Sequence, residues 1–130
     1  MEKAIKKKYR LENIRNRALK SKDPLLAEVY MYLESIFPNQ ITHVNDMIYF
    51  PQTERCHECD IVIKNCIIEV KSGTRGAFLK QYTNLKNYCQ THNKKAILYA
   101  PNIPKRSLAQ QKANNICIAS NYKELEDLIK

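Results

Sequence analysis

Between residues 24 and 37 the apolar side chains Leu26, Val29, Tyr30, Leu33, Ile36 and Phe37 recur three and four positions apart, which is the spacing of one buried helix face. Asp23-Pro24 suits the start of that helix, since Asp accepts from the first free amides and Pro fits the first turn, and Pro38 stops it. Upstream, Ile5, Tyr9, Leu11, Ile14, Ala18 and Leu19 stand among charges over residues 4–20, a looser pattern that predicts a weakly specified helix able to order on binding. Beyond Pro38 the pattern turns to strands at about 41–50, 58–64 and 66–72. The last two are rich in Ile and Val with only Lys64-Asn65 between them, which predicts a hairpin. A helical period returns at Phe78, Tyr82, Leu85 and Cys89 and ends near Asn93. A strand at 96–100, a short helix from Pro104 to about Ala113, a strand at 116–119 and a closing helix at 123–129 complete the chain. This order predicts an α/β sandwich with a mixed sheet, and neither an internal repeat nor a linker interrupts it.

Composition narrows this picture. A chain of 130 residues, 44% hydrophobic, is expected to form one domain around one core. No run approaches the roughly 18 apolar residues of a membrane span, and the first residues lack the apolar stretch of a secretory signal. The expectation is therefore a soluble, cytoplasmic protein with no membrane partner, whose five cysteines remain reduced. The net charge of +9 is uneven: residues 1–22 hold a net +7 and residues 23–130 only +2. We accordingly expect a basic N-terminal arm over 1–22 and a single domain over 23–130. Lys6, Lys7, Lys8, Arg10, Arg15 and Arg17 are then candidate contacts to a nucleic-acid backbone, although a charge run can equally be a solvated helix face. With only Gly73 and Gly76 as glycines, neither a dinucleotide fingerprint nor a phosphate-cradling glycine loop is present.

The hairpin carries the candidate chemistry. If Lys64-Asn65 forms its turn, partners move symmetrically away from it, so Val62 faces Ile67, Asp60 faces Glu69 and Glu58 faces Lys71. Strict alternation then places Glu58, Asp60, Glu69 and Lys71 on one face, and Cys59, Ile61, Ile63, Cys66, Ile68 and Val70 on the other. Opposed carboxylates repel, and a hard divalent cation offsets that repulsion; Mg2+ is commonly held by one or two carboxylates plus water and phosphate oxygens. Such a metal with an adjacent lysine suits phosphodiester hydrolysis. The same residues would also make an ordinary polar strand face, with Lys71 paired to Glu58.

Taken together, the run from Glu58 to Gly73 resembles the core of the PD-(D/E)XK nuclease superfamily, with Asp60 as its acidic residue and Glu69-Val70-Lys71 as its ExK element. The resemblance covers roughly residues 24–100. It implies a restriction-endonuclease-like sandwich, with a mixed central sheet flanked by helices, and a Mg2+- or Mn2+-dependent endonuclease acting on DNA rather than RNA. It further implies that Asp60, Glu69 and the Val70 carbonyl hold the metal and that Lys71 serves the attacking water. Glu28 matches an acidic residue that many members carry on the preceding helix, and Gln81 matches a glutamine that several branches place near the site. One departure is Cys59, which stands where the family's proline would precede the acidic residue. The branch resembles either polymorphic-toxin nucleases or Holliday-junction resolvases, and a homodimer would suit cutting of two strands.

Other readings compete. A non-catalytic nucleic-acid-binding module could share the fold, and a toxin nuclease acting on DNA or RNA would share the chemistry. Cys56-His57-Glu58-Cys59, with His43 upstream, has a zinc-ligand spacing, but no second close pair completes four ligands and alternation turns Cys59 into the apolar face.

Overall fold

The computed structural model describes residues 12–20, 23–50, 54–73, 85–87, 89–90, 92–108 and 116–130. Residues 12–19 form helix α1, and Ile14 and Ala18 on its inner face are buried. Helix α2 spans Pro24–Ile36; the Asp23 carboxylate accepts from the Leu25 amide at 3.0 Å, and Leu26, Val29, Tyr30 and Leu33 form the buried stripe. The chain leaves α2 through Asn39, whose positive φ of 64° reverses its direction and whose amide donates to the Glu34 carboxylate at 3.1 Å.

Five strands follow: β1 (Ile41–Phe50), β2 (Arg55–Ile63), β3 (Cys66–Val70), β4 (Lys95–Tyr99) and β5 (Cys117–Ala119). They form one mixed sheet in the order β1-β2-β3-β4-β5, antiparallel from β1 to β3 and parallel from β3 to β5. Helix α3 (Tyr122–Ile129) starts at Asn121, whose side chain accepts from the Glu124 amide at 2.9 Å.

β2 begins three residues earlier than the apolar pattern predicts because β1 is long and stays paired with it to Phe50–Arg55. The helix expected from Pro104 is a 3-10 turn over Lys105–Leu108; residues 109–115 lie outside the described residues. Of the helix expected to end near Asn93, residues 85–87 and 89–90 are helical.

Apolar side chains leave the sheet on both faces. One core gathers Ile61, Ile63, Ile68 and Ile97 against Ile14, Leu33 and Leu125 of the three labelled helices. The other gathers Val62, Ile67 and Leu98 with Leu85, Cys89, Leu108 and Ile116. A mixed sheet covered on both faces is the expected layering for strands this apolar, each buried aliphatic contributing about 1.5–3 kcal/mol. Among the described residues, no helix is long and apolar enough to cross a membrane.

Candidate active site

The β2–β3 hairpin has the register its turn predicts. Ile63 lies opposite Cys66, Val62 opposite Ile67 and Ile61 opposite Ile68. Lys64 takes the left-handed conformation (φ 52°) that a tight hairpin turn requires. Past Ile61–Ile68 the ladder changes character: the Val70 amide donates to Asp60 Oδ2 at 2.8 Å, and the Glu69 carboxyl lies close enough to Asp60 for each group to shift the other's titration. The Asp60 side chain thus stands in for a main-chain acceptor, with the Glu69 carboxyl beside it.

The cause lies partly in β1. Val44 pairs with Ile61 and Asp46 with Cys59, which leaves Asn45, with a φ of 47°, opposite Asp60. A left-handed residue inside a strand breaks the two-residue alternation. Val44 and Ile61 accordingly face the α1–α2–α3 core, whereas Cys59 is buried with Val62 and Ile67 on the other side. This corrects the face predicted from strict alternation: Cys59 does not share a face with Ile61. Glu58 is exposed, and no ion pair joins it to Lys71 among the described residues. Its charge still reaches Asp60.

Burial pushes both carboxyls above their usual range. For Asp60 the shift is opposed by the Val70 amide, by the hydrogen bond from Glu69 and by the Lys71 charge. For Glu69, burial is reinforced by the Asp60 charge and opposed by Lys71. The two groups therefore titrate together, and burial raises both. Lys71 follows β3 directly; its amide donates to the Tyr99 carbonyl at 2.9 Å, which holds its backbone against β4. The next carbonyl, of Ser72, accepts from Asn102 Nδ2 at 3.0 Å. Because an extended residue directs its N–H and C=O to the same neighbour, the Val70 carbonyl points, like its amide, toward β2 and Asp60.

Asp60, Glu69, Val70 and Lys71 are thus brought together. Their oxygen donors fit a hard divalent cation: two carboxylates whose mutual repulsion a cation relieves, plus one carbonyl. Among the described residues, no group of three or more His, Cys, Asp and Glu side chains gathers as a ligand set. The zinc spacing comes to nothing in the geometry, since Cys56 is exposed while Cys59 is buried, with burial, then Glu69 and Asp60, pushing its thiol up to about 12.

Glu28 is exposed on α2, and its charge is felt by Tyr99 and Tyr122, which lie in the core on the face opposite Leu98 and Glu69. Arg15 is exposed. Arg17 is held to β1, with Nη1 at 3.2 Å from Asp46 Oδ1 and 3.4 Å from the Asn45 carbonyl. Gln81, Lys6, Lys7, Lys8 and Arg10 lie outside the described residues. Sequence reasoning missed Asn45 and Asn102, which position the site's backbone. The one available signal was an asparagine inside an otherwise regular strand pattern, a residue type that tolerates left-handed geometry. Comparison of the chain with protein-family models, with curated proteins and with solved structures returned no match.

Proposed function

We propose that this protein is a metal-dependent endonuclease that hydrolyses phosphodiester bonds, with a restriction-endonuclease-like arrangement of its sheet and helices. The observation that carries this reading is the half-buried Asp60–Glu69 pair, with Asp60 held to β3 by the Val70 amide and Lys71 acting on both charges. A carboxyl pair in a part-buried place is costly to charge, and a divalent cation offsets that cost. Asp60, Glu69 and the Val70 carbonyl would hold Mg2+ or Mn2+. When bound, the cation supplies an activated water and offsets charge developing on phosphorus. Lys71 orients that water or neutralises a phosphate oxygen. The preference for DNA over RNA, and the supporting places of Glu28 and Gln81, rest on the resemblance to PD-(D/E)XK nucleases. A nucleic-acid partner also accords with the net charge of +9.

Cleavage of linear, supercoiled and branched DNA and of RNA, with and without Mg2+ or Mn2+, tests the proposal. Glu69→Ala should abolish turnover and Lys71→Ala should slow it by about 100-fold or more. A wild-type protein that binds but never cuts, or two variants as active as wild type, would sink the reading.

A further inference from the structure

A second concentration of positive charge lies at the other end of the hairpin. Between Glu69 and Glu124 the sequence has 54 residues, ten of them Lys or Arg and none acidic. Part of this acid-free segment meets the β2–β3 turn around an open cleft of about 580 Å³. Lys64, Lys86, Lys94, Lys95 and Lys130 line it, with amides from Asn65, Gln90 and Asn93, and no acidic side chain is among the lining residues described. Cys66, also in the lining, is three residues from Glu69, about 10 Å along the strand. The lysine-lined end of the cleft is therefore distinct from the carboxyl pair, although the buried Cys89 in the lining feels the Glu69 charge.

Several of these lysines are already held in place. Lys95 Nζ donates to the Leu128 carbonyl at 2.6 Å, and Lys64 Nζ sits 5.0 Å from the centre of the Phe37 ring. Lys130 pairs with Glu126 at 3.3 Å, the one ion pair with a carboxylate that any lining lysine makes among the described residues. The charges converge: burial raises the Cys66 thiol, and Lys95, Lys64 and Lys94 all act against that rise. The end of α3 represents only about half a negative charge, which one lysine satisfies. With Lys130 paired to Glu126, four lysines remain and exceed that need.

We propose that this cleft is a binding site for contiguous phosphate groups, those of a free oligophosphate or of a nucleic-acid strand. A cleft of this volume matches a small ligand or a few nucleotides. Its cations are all ammonium groups, which act on phosphate as point charges; no arginine, whose fork grips carboxylate and phosphate alike, lines it among the described residues, so the cleft recognises charge density rather than one fixed planar geometry. The proposal does not depend on the cleavage reading.

The test uses the full chain in chelator, titrated with inorganic triphosphate and, separately, with a labelled single-stranded oligothymidylate. Wild type is compared with Lys86→Gln/Lys94→Gln and with a control, Arg106→Gln/Lys123→Gln, which removes two exposed charges outside the cleft. Wild type should bind at least one probe, the cleft variant about tenfold or more weakly, and the control within about twofold. For the oligonucleotide, the slope of log affinity on log salt should become shallower by about 1.4 in the cleft variant. Binding of triphosphate alone identifies a free oligophosphate as the ligand, and binding of the oligonucleotide identifies a strand. If neither probe binds, or the cleft variant binds like wild type, or the control loses as much, the site is overturned. Should the cleft variant melt early, amide shifts of wild type on titration decide: movement at Asn65, Gln90 and Asn93 supports the cleft, and movement confined to Lys71 and Ser72 overturns it.

Discussion

Glu69 is costly for the protein to keep charged, because its carboxyl is partly removed from water and lies beside Asp60. Both groups bind a proton more tightly folded than unfolded, where they titrate near 4.5 and 3.8. Above those values the native form holds more protons than the unfolded one, so this contribution to stability is present in acid and lost as pH rises through the pair's folded titration. Urea unfolding in chelator should therefore show stability declining from pH 5 to pH 8.5. Glu69→Gln, which cannot ionise there, should flatten the decline and be the more stable protein at pH 8.5 by about 1 kcal/mol or more. Added Mg2+ should restore stability to wild type increasingly with pH and leave Glu69→Gln unaffected; equal slopes for the two proteins would remove the electrostatic account.

At the scale of elements, the site depends on a hairpin register and on a fault beside it. The register was legible because Lys64-Asn65 is the only interruption between two apolar strands, and symmetry about a two-residue turn leaves no freedom. The fault was not, since the hydrophobic pattern reports which residues are apolar and carries nothing about a single φ of 47° at Asn45. That omission misplaced Cys59, while Asp60 and Glu69 still lie near each other beyond the last paired residues, Ile61 and Ile68. Among the described residues the strands and helices were otherwise readable from periodicity; the helix expected from Pro104 to about Ala113 opens as a 3-10 turn at Lys105–Leu108, four residues that are too few to display a period, and its remainder lies outside the described residues. Asn45→Gly should retain stability within a few tenths of a kcal/mol, while Asn45→Val should cost about 1–2 kcal/mol and slow cleavage by moving Asp60. Unfolding and rate measurements on the pair check this; indifference to Val would show that Asn45 does not set the position of Asp60.

For the whole molecule, charge and packing divide the chain differently from a bare arm and a domain. Ile14 and Ala18 of α1 are buried among α2 and sheet residues, and Arg17 reaches β1 beside Asn45. Ile14→Ala should therefore lower stability by about 2–4 kcal/mol, and deletion of residues 1–22 should lower the melting temperature as well as weaken any nucleic-acid binding. A deletion that melts like the full chain would mean that α1 adds nothing to the core.

The hydrogen bond from the Val70 amide to Asp60 makes that single proton a gauge of the hairpin's closure. Solvent deuterium can replace it only when Asp60 releases it. Asparagine at position 60 would still offer an oxygen, whereas alanine would leave the amide to water. The exchange clock at Val70 should run slowly in wild type and in Asp60→Asn and quickly in Asp60→Ala, with the neighbouring Ile67 and Ile68 amides as the internal reference. Loss of protection at Val70 alone would report the gate opening; loss along the whole strand would report unfolding.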